Sequence, residues 1–384
     1  MGPLAGIKII ELAGIGPGPF AAMLLADMGA TVIRMDRIQK ADLGVDLPPH
    51  LNVMNRGRRS VAVDLKSKAG AEVVLRLVSQ ADALIEGFRP GVTERLGIGP
   101  DVCLARNPRL VYGRMTGYGQ DGPMASIAGH DINYIALAGV LNAIGEKGRK
   151  PVHPLNLVGD FGGGGMFLAF GLLCGILEAR TSGKGQVVDA GMTEGAALLA
   201  NMFFSFRAMN AWTEQRGDNV LDGGAHFYDT YATKDGGYLA VGAIEKVFYV
   251  KLLQLMGLNA AEFEPQHDKS RWPAWKAQFA EVFKTKTRDE WTALMAHEDA
   301  CVMPVLTTTE AIRHPHNQAR KTFVTHAGNE QVAPTPRFSR TYLPSIYPPR
   351  RLANTPLRFC RNSASRPKKS SNSAPRARSP ERSA

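Results

Sequence analysis

The chain has 384 residues, enough for one large domain or two ordinary ones with proper cores. Hydrophobic residues at 44% and charged residues at 21% sit near the globular average, which excludes wholesale disorder. The net charge of +11 does not describe a basic, nucleic-acid-binding body: ten of the 46 Lys and Arg residues, against the single acid Glu381, fall from Arg350 onward, and the rest is nearly neutral.

The first elements follow from punctuation. "GIKIIEL" is a short β-branched strand, "AGIGPGP" a Gly/Pro loop, "FAAMLLADMG" a buried helix and "ATVIRMD" a second strand, which together make a βαβ unit of a parallel sheet. The loop glycines Gly14, Gly16 and Gly18 with Asp36 resemble a dinucleotide fingerprint. The spacing is wrong for one, however, and Pro17 and Pro19 remove N–H donors that a phosphate would need.

The pattern repeats through "RSVAVDLK", a helix carrying Ala71, Val74 and Leu75, the strand "ALIEGF" and the strand in "RLVYGRMTGYGQDGP". Next comes "GHDINYIALAGVL", a helix expected to turn Ile132, Ile135, Leu137 and Val140 inward, with His130 and Asp131 at its mouth. The pair could act as an ionisable base or be structural. In "LNLVGDFGGGGMFLAFGLL", Asp160 precedes four glycines, and a long helix is expected after Gly162. Asp160 could be an ordinary N-cap, but capping does not explain the glycines, whose N–H groups, from Gly162 to Gly164, could serve an oxyanion. "GQVVDAGM" returns to the sheet.

From about residue 225 the pattern changes. "YDTYATKDGGYLAVGAIE" reads as a hairpin turning at Lys234 to Gly237, with Glu245 at its end, and Trp272 to His297 read as helical. The expected organisation is a large domain over 1–200, a linker over 201–225, a small α+β domain over 226–325, a return linker over 326–345 and a disordered Pro/Ser/Arg-rich basic tail over 346–384. A basic tail could bind an acidic partner, with the body an inactive scaffold, or be a plain extension.

The cysteines lack CxxC or zinc spacing, so no metal site is expected. No signal segment and no apolar run of about 18 residues is evident, so the chain reads as cytoplasmic, without a membrane or nucleic-acid partner.

Taken together, "IIELAGIGPGPFAAMLLADMGA", "NRGRRSVAVDLK", "EGFRPGVTERLGIGP", "AGHDINYIALAGVL", "PLNLVGDFGGGG", "GKGQVVDAGM", "LDGGAHFYDTY", "GAIE" and "DACVMPVL" resemble the family III CoA transferases (the CaiB/BaiF type), and among them the α-methylacyl-CoA racemase branch, in order from about residue 4 to 340. The resemblance implies a Rossmann-like α/β large domain with a parallel sheet, a smaller α+β domain and an interlocked homodimer. It implies a 2-methyl-branched acyl-CoA substrate and no cofactor, CoA being part of the substrate. It also implies that His130 and Asp160 are the two acid/base groups, with Glu245 orienting His130. Arg37, Val63, Asp64, Leu65, Lys66, Arg89, Gly129, Asp131, Ile132, Asn133 and Tyr134 are the implied CoA and substrate contacts, and Met166, Phe167 and Met202 would line the acyl surface.

The chain departs from the racemase pattern at His226, Lys246 and Val247, where that branch carries Pro, Pro and Gln. The rival within the family is CoA transfer through a covalent intermediate on Asp160, and the motif around His130 favours the racemase.

Overall fold

The computed structural model describes residues 2–39, 47–48, 50–326, 328–341 and 343. Six strands, β1 (Lys8–Leu12), β2 (Thr31–Asp36), β3 (Arg58–Ala62), β4 (Ala83–Glu86), β5 (Val111–Thr116) and β6 (Gln186–Gly191), form an all-parallel sheet in the order β3-β2-β1-β4-β5-β6. The strands are linked by helices, among them α1 (Pro17–Asp27), α2 (Lys68–Val78), α3 (Val92–Arg95), α4 (Pro100–Arg106), α5 (Asp131–Leu137) and α6 (Phe167–Ser182), and β6 leads into α7 (Met192–Leu199). Alternate strand residues face opposite sides. Ile9, Val32 and Ile85 therefore pack with Leu25 of α1 and Leu172 of α6, while Ile10, Ile33 and Leu84 pack with Val74 and Val78 of α2. Such two-sided burial explains why the strands read as nearly continuous apolar runs.

Glu11 interrupts β1 and is 0% exposed. An unpaired carboxylate there would cost several kcal/mol, on the order of a whole buried side chain's contribution. Arg58 meets it at 2.6 Å and Arg34 at 3.5 Å, and Asn55 Oδ1 accepts from both guanidinium groups.

Three expectations change here. The long helix begins at Leu157, not after Gly162: residues Leu157–Met166 are π-wound and run straight into α6. The resulting 26-residue helix Leu157–Ser182 is long and apolar enough to cross a membrane, which the run-length reading missed. Its buried side, Leu168, Leu172 and Ile176, belongs to the core under the sheet. In α5, Ile132 and Leu137 face outward, and Asp131, Tyr134 and Ile135 are the buried residues.

The expected linker opens with a helix, α8 (Asn201–Ala208). The second domain is an antiparallel sheet of β7 (Tyr228–Ala232), β8 (Tyr238–Gly242) and β9 (Val302–Pro304), with α9 (Lys246–Leu255), α10 (Trp272–Phe283) and α11 (Arg288–Met295). The hairpin turn lies where the sequence put it. Phe227, Tyr231, Tyr249, Phe263, Trp275, Phe279 and Phe283 make an aromatic core. The chain then returns as a hairpin, β10 (Phe323–His326) and β11 (Asn329–Val332), where a plain linker was expected. Arg56, paired with Asp27 at 2.6 Å, donates to Gln331 Oε1 and Val332 O and pins this hairpin to the first domain. The tail over 346–384 lies outside the described residues.

Candidate active site

In an open parallel sheet the ligand crevice lies beyond the carboxyl ends of the strands, where the strand order reverses. Here that point is between β1 and β4. Every CoA or substrate candidate on the first domain follows a strand's C-terminal end: Arg37 after β2, Val63 to Lys66 after β3, Arg89 after β4, and Gly129 to Tyr134 after β5. Arg37, Asp64, Lys66 and Arg89 are exposed, whereas Val63 is buried and donates its N–H to Asp36 O.

His130 is the exposed N-cap of α5. Its backbone N–H donates to Asn133 Oδ1 at 3.0 Å, and Asn133 N–H donates back to His130 O at 2.8 Å, so the backbone of His130 is fixed at the helix entrance. Asn133 and Ile132 are exposed beside it. Asp131 and Tyr134, expected to face substrate, instead point inward: Asp131 is 4% exposed, and the Tyr134 hydroxyl donates to Gly129 O. The Tyr134 ring meets Tyr118 edge-on at 5.0 Å. Burial, followed by the nearby Tyr118 and Asp160, pushes the Tyr134 hydroxyl up to about 12, with Arg89 opposing. Tyr134 is therefore a neutral prop, and Arg89 is within electrostatic reach of it.

Asp160 lies in the first turn of the π-wound segment, half-buried. Asp131 Oδ2 accepts its backbone N–H at 2.7 Å, and Asn156 Nδ2 donates to its Oδ2 at 3.1 Å. Burial raises the Asp160 carboxyl above the usual carboxylate range; the Asn156 hydrogen bond opposes this, Asp131 adds to it, and the His130 charge opposes it. His130 and Asp160, 30 residues apart in sequence, are thus electrostatically coupled at one edge of the sheet. Gly16, with φ +66°, brings the loop after β1 against the same carboxylate: a Cβ there would lie 3.2 Å from Asp160 Oδ2. Sequence reasoning weighed Gly16 only as part of a phosphate loop, which the spacing and the prolines spoke against, and gave it no role at the site; it also overlooked Asn156, although its i, i+4 spacing to Asp160 was a usable signal.

Gly163 and Gly164 are buried, and a Cβ on them would meet Ala196 N at 2.5 Å and Met192 Cγ at 2.8 Å. These glycines admit α7 and α1, and this packing accounts for glycine at both positions without the oxyanion role expected of Gly162 to Gly164. Of the three, only Gly162 is even partly exposed. Met166 and Met202 are exposed and Phe167 is half-buried.

Glu245 is the exposed N-cap of α9 in the second domain. Among the described residues it makes no hydrogen bond or ion pair with His130; its charge acts on the neighbouring Cys301 thiol, which burial first and then Glu245 push up. Of the three departures, Lys246 pairs with Glu264 at 3.0 Å, Val247 is exposed, and His226 is fully buried.

Comparison with known proteins gives the family and the fold. The family model described as CoA-transferase family III matches residues 4–362, about twenty residues further than the motifs alone had traced. The α-methylacyl-CoA racemase of Mus musculus is 46% identical over 341 residues, covering 88% of this chain and 87% of the mouse protein. That of Homo sapiens is 46% identical over 334 residues, covering 87% and 85%. The crystal structure of a CAIB/BAIF family protein from Brucella suis superposes with a TM-score of 0.81 at 26% identity, over 94% of this chain and 99% of that one. The chain belongs to CoA-transferase family III.

Proposed function

We propose that the protein is an α-methylacyl-CoA racemase, interconverting (2R)- and (2S)-2-methylacyl-CoA thioesters by two-base proton exchange. The observation that carries this reading is the coupling of an exposed histidine to a carboxyl held above its ordinary range, His130 and Asp160, at the carboxyl edge of a parallel sheet. A thioester α-proton is weakly acidic, and inversion needs a base on one face and an acid on the other. For one enantiomer Asp160 takes the α-proton and His130 returns one to the opposite face of the enolate; for the other the roles reverse. A carboxyl raised above its ordinary range holds a proton more readily than a free one, which suits it to the returning step, and histidine is a common general acid and base.

Arg37, Lys66 and Arg89 are exposed along the loops after β2, β3 and β4 and carry the charge a CoA phosphate group requires. The acyl chain lies on Met166, Phe167 and Met202. No cofactor beyond the substrate's own CoA takes part. Two copies assemble so that Glu245 of one reaches His130 of the other and orients the ring; the exposed apolar side chains Phe170, Leu177, Leu198 and Phe204 support such an assembly.

The test is deuterium uptake at the α-carbon of each enantiomer of a 2-methylacyl-CoA in heavy water. Exchange with inversion by the native protein, reduced at least about a hundredfold in both His130→Ala and Asp160→Asn, is the expected result. Transfer of CoA to an added carboxylate through a thioester trapped on Asp160, without α-exchange, would replace this reading with acyl-CoA transfer.

A further inference from the structure

His226 is a chemical oddity: a fully buried imidazole enclosed by Phe227, Tyr249, Trp275 and Phe279, with ring centroids 4.9–5.4 Å away. Burial, then the neighbouring charges of His267 and Lys276, pull it down to about 3, so the ring is neutral. Its Nε2 lies 2.6 Å from the Tyr249 hydroxyl, and its Nδ1 has no hydrogen-bond partner among the described residues. A buried N–H without an acceptor is costlier than a buried lone pair without a donor. The favoured tautomer therefore carries its proton on Nε2 and donates to Tyr249 Oη, leaving that hydroxyl to donate to Phe263 O at 3.5 Å.

Tyr249 is one helical turn beyond Glu245 and donates its backbone N–H to Glu245 O at 3.0 Å. The segment carrying Glu245 is held from two further directions. Gln266 Nε2 donates to Ala243 O and Ile244 O, immediately before it, and Lys246, immediately after it, pairs with Glu264 beside Phe263. Glu245 itself is exposed, and among the described residues no hydrogen bond or ion pair holds its carboxylate.

We propose that the His226–Tyr249 hydrogen bond is a positioning device for Glu245: it fixes the first turn of α9 against the Ala260–Phe263 turn and so sets the direction in which the Glu245 carboxylate leaves the second domain. His226 and Tyr249 are positioning residues, and the inference rests on the reading of Glu245 as the group that orients the catalytic histidine. It also gives His226 and Lys246, two departures from the racemase pattern, a common purpose, since both tie the Glu245 segment to residues 263–264.

The experiment is a double-mutant cycle on the full-length protein, with kcat and KM for a 2-methylacyl-CoA measured separately. Tyr249→Phe and His226→Leu are expected to lower kcat about fivefold, the worth of one hydrogen bond, with KM unchanged within about twofold. His226→Gln, which keeps an N–H donor at similar reach, is expected to recover most of the loss. In a Glu245→Gln background, Tyr249→Phe is expected to add nothing. Glu264→Lys, a surface change that repels Lys246 and leaves the core intact, is expected to lower kcat in the native background only, which keeps the test open if a core variant does not fold.

Equal losses in both backgrounds, or a rise in KM alone, would overturn the positioning role while leaving the reading of Glu245 intact. An unchanged kcat in Glu245→Gln itself would instead remove that reading, and the positioning role with it.

Discussion

The carboxylate of Asp131 accepts the backbone N–H of Asp160 at 2.7 Å, so the two acids are held together, with the second facing the site and the first closed off behind it. The negative charge of Asp131 disfavours ionisation of Asp160, after burial the next influence that raises it. Asp131→Asn keeps an acceptor oxygen and removes the charge, so the Asp160 carboxyl should ionise at lower pH. For the enantiomer whose proton Asp160 removes, the acid limb of the kcat/KM profile shifts to lower pH. For the other, where Asp160 must be protonated, the alkaline limb shifts to lower pH as well, and the rate at neutral pH falls. Profiles of α-deuterium uptake for both enantiomers check this, and limbs that stay in place would contradict it.

The same shift has a consequence for stability. A carboxyl raised in the folded state prefers its protonated form there, so its ionisation opposes folding. That opposition is absent below the unfolded-state value of about 4 and grows as pH rises through the folded-state value. Asp160→Asn, of equal size and still able to accept from Asn156, should melt above the native protein at neutral pH and together with it near pH 3. Thermal melts at the two pH values test it. The variant is thus expected to be more stable and inactive, as befits strain kept at a reacting group.

Gly16 joins backbone conformation to the site. Its φ of +66° and ψ of −120° belong to a region closed to side chains, and an added Cβ would press on Asp160 Oδ2. Gly16→Ala should lose about 1–3 kcal/mol of stability, measured by urea unfolding, and should lower kcat by displacing the carboxylate. An alanine variant with native kcat would show that Asp160 tolerates movement here.

What the sequence revealed follows from how local each signal is. The strands of the parallel sheet were legible because two-sided burial writes itself as β-branched runs between Gly and Pro, as in "KIIEL" and "TVIRMD". The start of the long helix was not. Helix propensity disfavours "GDFGGGG", and only the contacts of Gly163 with α7 and of Gly164 with α7 and α1 make glycine the residue that fits. Ile132 and Leu137 were expected inside because apolarity was the only available guide, while the polar Asp131 took the buried place through a hydrogen bond to a residue 29 positions away. Such long-range pairing has no local signature.

Arg58 tests the ionic core of the sheet. It meets Glu11, 0% exposed, at 2.6 Å, and Arg34 reaches the same carboxylate only at 3.5 Å. Arg58→Met should cost about 3 kcal/mol in urea unfolding, because a buried charge loses its main partner. Pairing it with Glu11→Leu should recover much of that loss, since the penalty lies in the orphaned carboxylate and not in the missing guanidinium. A double variant as unstable as the single one would mean that Arg58 acts through packing.

Assembly follows from the outer side of α6. Phe170 and Leu177 lie two turns apart on its exposed side, each 65% exposed, and Leu198 of α7 and Phe204 of α8 are exposed as well. Solvent-facing apolar rows of this size mark association surfaces. Sedimentation velocity of the native protein is expected to give a dimer. Phe170→Glu combined with Leu177→Glu should give a monomer with unchanged circular dichroism, because both side chains face away from the sheet. If Glu245 serves the histidine of the other copy, that monomer loses α-proton exchange even though its own His130 and Asp160 are untouched. Mixing it with a His130→Ala protein that still dimerises would restore nothing. By contrast, a dimer of one His130→Ala chain and one Glu245→Gln chain keeps one intact composite site and should recover up to about half the native rate. A fully active monomer would place Glu245 outside the reaction.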